Sequence, residues 1–215
     1  MKLKRGFFIT FEGGDGCGKT TQSRMLVDKL KQKYDVIYAR EPGATRLGEE
    51  MRRLTLVERE SRSPETDLLL FETSRRHFTE TLIIPNLKAG KIFVSDRYRD
   101  STTAYQGYAS GIDLDIIDYF NGFASCGINP NLTFIIDIDA KQGLEKAISQ
   151  DTRDGHDNMA SRALEFHEKV NQGYREIAKK NPDRCVLIPY QYGGMMSMHG
   201  RIYKITLERL SKIPE

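Results

Sequence analysis

Short apolar runs recur along this chain at Phe7–Phe11, Val36–Ala39, Ile92–Ser95, Leu132–Asp137 and Val186–Ile188. Each is too short for a helix and rich in β-branched or aromatic residues, so each predicts a buried strand. Between them the apolar positions fall at helical spacing, over roughly 20–33, 46–57, 64–88, 114–125, 141–149, 163–179 and 201–211. In the first of these, Met25, Leu26 and Leu30 share one face. Strands alternating with helices predict an α/β fold, a five-stranded parallel sheet with helices on both faces. Two polar stretches interrupt the alternation. Residues 150–160 are charged and lie between two helical patterns. Tyr190–His199 carries Gly193, Gly194 and three methionines with weak periodicity, and predicts a loop.

Composition narrows the class without changing this picture. At 215 residues the chain reads as one domain, 1–215, large enough for a substantial core. The 33 basic and 30 acidic residues leave +3, too balanced to argue for a nucleic-acid or membrane surface. The apolar stretch after Lys4-Arg5 ends at Glu12, too short for a secretory leader, and no run approaches the roughly 20 apolar residues of a membrane span. Cys17, Cys126 and Cys185 are odd in number and widely spaced, so a reduced, cytoplasmic protein is expected.

The chemistry enters at residues 13–20, Gly-Gly-Asp-Gly-Cys-Gly-Lys-Thr, a full match to G-x-x-x-x-G-K-[ST] between a strand and a helix. Backbone N–H groups of Gly13, Gly14, Asp15, Gly16, Cys17 and Gly18 would cradle polyphosphate. Lys19 would reach the outer phosphates, and the Thr20 hydroxyl, beside Thr21, would ligate Mg²⁺. Asp96 ends the third strand, where an acid in such a protein supports Mg²⁺. By itself it reads equally as a helix cap. Ser101, Thr102, Tyr105 and Gln106 follow at spacings that share a helical face. Arg40-Glu41-Pro42-Gly43 reads as a turn, Phe71 as core and Arg75 as a surface charge. Cys17 reads either as a small residue that fits or as a thiol of lowered pKa open to oxidation.

Taken together, Phe11-Glu12-Gly-Gly-Asp15-Gly-Cys-Gly-Lys-Thr-Thr-Gln22, Arg40–Gly43, Phe71 with Arg75, Asp96-Arg97-Tyr98 through Gln106-Gly107, and Phe166–Val170 before Gly173-Tyr174 resemble thymidylate kinase of the bacterial type, a P-loop nucleoside monophosphate kinase family. The resemblance runs from about residue 6 to 190. It implies the transfer of the ATP γ-phosphate to dTMP in dTTP synthesis, on a P-loop kinase fold with a mobile lid at about 150–160. It also implies a homodimer formed through helices. Carried over residue by residue, Lys19 and the loop 13–18 hold ATP phosphates, and Thr20 and Asp96 serve Mg²⁺. Asp15 sits by the sugar 3′-hydroxyl and the reacting phosphates. Arg97 and Arg40 face the acceptor phosphate, and Phe71 stacks on thymine while Arg75 and Thr102 bond its edge. Tyr105 crowds the sugar C2′, Gln106 lies beside the base, and the Glu41–Pro42 bond is cis. Nucleotides are the implied partners. No general base is required, because a phosphate whose second pKa is near 6 is already largely ionised at pH 7.

Three departures from the family pattern matter. A Gly at position 16 matches the subtype with an arginine-rich lid, yet 150–157 offers one arginine, Arg153, expected to be the transition-state cation. Asp157-Asn158-Met159-Ala160 stands where Asp-Arg-x-Glu is usual, which predicts slower turnover. Ala44 replaces a usual glycine, which matters if that position needs φ > 0. The alternatives are a kinase for another nucleotide or nucleoside, a nucleotide-dependent switch, and an inactive nucleotide-binding scaffold. No guanine-reading Asn-Lys-x-Asp occurs.

Overall fold

Every residue of the first strand, β1 (Phe7–Gly13), is buried, so its alternation must serve two cores at once. A computed structural model describes residues 3–57, 61–150 and 164–213. In it β1 is followed by α1 (Lys19–Lys31), β2 (Val36–Arg40), α2 (Arg46–Arg52), α3 (Pro64–Phe78), α4 (Ile84–Lys88), β3 (Ile92–Asp96), α5 (Arg99–Thr102), α6 (Leu114–Ala124), β4 (Leu132–Asp137), α7 (Ala140–Gln150), α8 (Leu164–Lys180), β5 (Cys185–Pro189) and α9 (Met195–Leu210). Phe7, Ile9 and Phe11 pack with Leu26, Val27 and Leu30 of α1 and Met198, Ile202 and Leu210 of α9. Phe8 turns the other way, into a cluster with Phe78, Phe93 and Tyr98. Farther along that second face, Ile135 packs with Val170, Tyr174 and Ile177 of α8.

The five strands are parallel, in the order β2-β3-β1-β4-β5. This is the five-stranded, doubly covered sheet expected from the pattern. The chain reverses its direction of travel across the sheet between β1 and β3, and such a switch point opens a crevice at the carboxyl ends of the strands. The loops after β1, β2 and β3 all emerge there.

Among the described residues, three helices widen to π-turns: Arg53–Val57 after α2, Thr79–Ile83 between α3 and α4, and Thr103–Ala109 after α5. The second has a local cause. Pro85 lacks an N–H and would clash with the preceding turn of a regular helix, and the wider turn before it relieves this. The third carries Tyr105 and Gln106, consistent with the habit of π-turns to sit at functional sites.

One expectation is corrected. Tyr190–His199 is not all loop, because α9 begins at Met195. Met198, Ile202, Thr206 and Leu210 form a buried stripe on it, and Gln22 Nε2 donates to the Met195 carbonyl at 2.9 Å. The stripe begins on a methionine amid exposed Met195 and Met196, so its period is hidden in the sequence. The lid stretch, including Arg153, His156, Asp157, Asn158 and Ala160, lies outside the described residues.

Candidate active site

The turn from β1 into α1 is built on close backbone approach. Gly16 has φ +69, and a Cβ there would lie 2.0 Å from the Gly143 carbonyl oxygen of α7. A Cβ on Gly143 would in turn meet the Asp15 carbonyl at 2.5 Å. The loop thus lies directly on α7, and only glycine fits at 16. Gly18, at φ +86, caps α1 without a side-chain bond, and the first turn of α1 carries no acid. The positive end of that helix is therefore uncompensated and faces the crevice, suited to an anion. Lys19 is buried, donating to the Gly14 carbonyl at 3.3 Å and standing 4.0 Å from Asp15 Oδ1. Thr21 is exposed on the same turn.

Cys17 does not behave as a reactive thiol. Its side chain is fully buried, and burial pushes the thiol pKa up despite Lys19 nearby. Burial favours the reading of Cys17 as a small residue that fits over the oxidation-prone one, because desolvation outweighs the helix end.

Thr20 and Asp96 meet across the crevice, the hydroxyl donating to Asp96 Oδ2 at 2.5 Å. Asp96 Oδ1 is buried and has no hydrogen-bond partner among the described residues. A buried carboxylate oxygen left unsatisfied is costly unless something cationic takes it. An adjacent hydroxyl and carboxylate, both hard oxygen donors, suit Mg²⁺, which keeps most of its shell as water and phosphate.

Arg97 sits at the centre. Its φ is +71, held by its N–H donating to the Phe11 carbonyl at 2.9 Å and by Ser95 Oγ donating to its carbonyl at 2.7 Å. Such a conformation costs about 1–3 kcal/mol and turns the side chain into the crevice. There Nη2 bonds Asp15 Oδ1 at 2.6 Å and Tyr105 Oη at 3.3 Å, while Nη1 reaches Ser101 Oγ at 3.1 Å and Tyr174 Oη at 3.3 Å. Tyr105 Oη also donates to Asp15 at 3.0 Å. Burial alone would raise the Asp15 pKa, but Arg97, Lys19 and His167 outweigh it and hold the carboxyl below its usual range.

Beside this centre lies a cavity of about 240 Å³, lined by every residue expected to hold the acceptor: Asp15, Arg40, Pro42, Phe71, Arg75, Arg97, Ser101, Thr102, Tyr105 and Gln106. Lys19, Thr20 and Asp96 open onto it as well, which joins the two halves of the site. Glu41–Pro42 is cis. Ala44, just beyond, has φ +62, so the position does demand the left-handed region that glycine prefers.

Arg75 departs most from its reading as a surface charge. It is 2% exposed. Nη2 pairs with Glu41 at 2.6 Å, and Nη1 with Glu72 at 2.5 Å and Asn121 at 2.7 Å. The two carboxylates raise its pKa further. Nε is buried with no partner among the described residues, one free donor at the cavity wall. The sequence gives no sign of the pairing of Glu41 with Arg75, of Glu72 and Asn121 beside it, or of the wall residues Arg24, Tyr38, Arg52 and Leu56. Glu12 and Tyr174, beneath Arg97, stand in the sequence motifs with no role of their own there. A charged residue inside an otherwise apolar strand was the available signal for Glu12.

Comparison with known proteins decides the family. The thymidylate kinase family model matches residues 11–192. The chain belongs to the thymidylate kinase family.

A thymidylate kinase of Sulfurihydrogenibium sp. (strain YO3AOP1) is 42% identical over 209 residues, 96% of this chain and 98% of the relative. One from Caldanaerobacter subterraneus subsp. tengcongensis is 39% identical over 207 residues, 96% and 97% of the two chains. The crystal structure of thymidylate kinase from Ehrlichia chaffeensis superposes with a TM-score of 0.77 at 35% identity, covering 94% of this chain and 99% of that one. Thymidylate kinases phosphorylate dTMP to dTDP using ATP with Mg²⁺, and this chain is a phosphotransferase of that family. Among the described residues no helix is long and apolar enough to cross a membrane.

Proposed function

We propose that the crevice performs the family reaction with Lys19, Arg97 and Arg153 as its cations and the 240 Å³ cavity as its dTMP site. The observation that carries this reading is that the phosphate loop and all the expected acceptor residues open onto one cavity through Asp15 and Arg97. Two anionic nucleotides must be brought together, so alignment and positive charge are what the site has to supply. Arg97, flanked by Asp15 and Ser101, is supported as the cation between acceptor and donor phosphates. Arg40, exposed at the cavity rim, is suited to the acceptor phosphate. Phe71, half-buried in the wall, is suited to stack on the base, with Arg75 Nε, Thr102 and Gln106 toward its edge. Tyr105, packed against Arg97 with 5.0 Å from the guanidinium to the ring centroid, is suited to stand by the sugar C2′, where it would crowd a ribose hydroxyl. Bound at Thr20 and Asp96, Mg²⁺ would neutralise charge on the donor phosphates. The test is ADP formation from ATP and Mg²⁺ with dTMP, dUMP, UMP and dCMP in parallel, with Lys19→Ala as control. Turnover strongest with dTMP and lost in the control supports the assignment; equal rates with UMP would reject the cavity as a deoxythymidylate site.

A homodimer of one-domain subunits in a reduced cytoplasm is part of the same proposal. Ile116, Tyr119 and Phe123 of α6 and Leu69 of α3 are all about half exposed or more, an apolar face on helices that pack together. Sedimentation of Tyr119→Glu as a monomer, against a dimeric parent, is the expected outcome.

A further inference from the structure

Glu12 is a carboxyl where the strand pattern wants an apolar side chain. It is fully buried at the carboxyl end of β1, lies outside the cavity lining, and has no role in the reading above. Three donors converge on it. The Tyr98 N–H bonds Oε1 at 2.8 Å, and the hydroxyls of Ser101 and Tyr174 bond Oε2 at 2.6 and 3.1 Å. The same two hydroxyl oxygens are the partners of Arg97 Nη1, at 3.1 and 3.3 Å.

A hydroxyl has one proton. If Ser101 and Tyr174 each give theirs to Glu12, both oxygens must present lone pairs to Arg97, which can only donate. The two hydroxyls also lie 2.9 Å apart, so if Glu12 cannot accept, one gives its proton to the other and the second proton is left without an acceptor beside the guanidinium, which loosens its hold. We propose that Glu12 is the positioning residue for Arg97, fixing the polarity of the Ser101 and Tyr174 hydroxyls so that the guanidinium is held over the reacting phosphates. This rests on the reading of Arg97 as the phosphate cation.

The protonation of Glu12 supplies an independent handle. Burial and the nearby Asp100 push its pKa up to about 8, with Arg97 and the Ser101 hydroxyl pulling it down. The other titratable or charged groups facing it are Tyr98, Tyr174, Arg184 and Cys185. The accepting carboxylate is therefore the form that gains population as pH rises through 8, and a protonated Glu12 would donate to a hydroxyl and reverse the arrangement.

The experiment is kcat for ADP formation at saturating ATP, Mg²⁺ and dTMP in the full chain, comparing Glu12→Gln, which keeps shape but adds donors, with the parent. At about pH 8.5 Glu12→Gln is expected to lose about 10- to 100-fold in kcat, the loss typical of outer-shell orienting partners. In a Ser101→Ala, Tyr174→Phe background the same change should cost under about threefold, because the groups it acts through are gone. At about pH 6.5 the gap between parent and Glu12→Gln should narrow. A cost that is unchanged in that background, or the same at both pH values, overturns the proposal. Should Glu12→Gln fail to fold, the Ser101→Ala, Tyr174→Phe protein alone decides: its kcat must lose the parent's extra rise between those pH values, and keeping it overturns the proposal. Arg97→Lys separates the two levels of argument. If that variant keeps full kcat, the role of Arg97 is wrong. If it is impaired while Glu12→Gln is not, only the positioning role of Glu12 falls.

Discussion

Arg75 is the residue whose loss the structure prices most clearly. Its guanidinium and the carboxylates of Glu41 and Glu72 are each no more than 5% exposed. Arg75→Met preserves most of the volume and deletes the charge, leaving two buried carboxylates facing each other. Breaking a buried pair by removing one partner typically costs about 3–5 kcal/mol, and two carboxylates share this arginine, so the upper half of that range is expected. At about 2–4 °C per kcal/mol for a chain of this size, Tm should fall by roughly 8–20 °C in scanning calorimetry. The same reasoning predicts a rescue. Adding Glu41→Gln and Glu72→Gln removes the uncompensated charges and should recover at least half of the lost stability. It should not restore dTMP binding, because the free Nε donor at the cavity wall is gone, and KM for dTMP should stay raised about tenfold for one lost hydrogen bond to the base. A Tm within 2 °C of the parent in Arg75→Met (less than about 1 kcal/mol) would refute the buried-charge argument. A triple variant no more stable than the single one would refute the assignment of the cost to Glu41 and Glu72.

Ala44→Gly should stabilise the protein: an L-residue at φ +62 costs about 1–2 kcal/mol, offset by about 0.5–1 kcal/mol of added freedom in the unfolded chain, for a net gain of about 0.5–1 kcal/mol. Its methyl is exposed and its N–H keeps the bond to Glu49, so an unchanged or lower Tm counts against strain there. Glu12 makes stability depend on pH. Because its folded pKa of about 8 lies above the ordinary 4.5, the stability tied to its protonated form is complete below 4.5 and lost as pH rises through 8. The parent should therefore lose a few kcal/mol relative to Glu12→Gln between about pH 5 and 8.5, and parallel pH curves for the two would contradict this. Cys17 should resist a thiol reagent in the folded protein while the half-buried Cys126 reacts, and ATP should make no difference to Cys17. Labelling of Cys17 as fast as Cys126 would show the burial to be wrong.

The elements were legible because their causes are local. A run such as Leu132–Asp137 has nowhere to go but a doubly covered strand, and Gly13–Thr20 between strand and helix has one stereochemical use. Where local cause was weak, the reading failed. The first turn of α9 rests on Met198 reaching a core built by β1 and α1, and nothing in Gly-Gly-Met-Met announces that contact. The sequence shows Ser101, Thr102, Tyr105 and Gln106 only as a polar helical face, since a helix widened by a π-turn over Thr103–Ala109 has no regular 3.6 period to mark its course. Ala44 could be flagged as a substitution, but whether it mattered depended on a backbone angle.

The site divides along the same line. The phosphate-binding role proposed for residues 13–20 rests on consecutive residues, so the sequence alone carries it: the glycines, the helix end and Lys19 act over distances that the chain itself sets. The acceptor side is assembled from four separate segments, and its charges acquire meaning only when water is excluded around them. Arg75 is a surface charge by composition and a buried ion-pair centre by packing. Cys17 is an activated thiol by position and an inert one by burial, and Glu12 is an ordinary acid until Asp100 and the low-dielectric interior close over it. Desolvation depends on what the rest of the fold places nearby, and for those residues only the tertiary structure decided their chemistry.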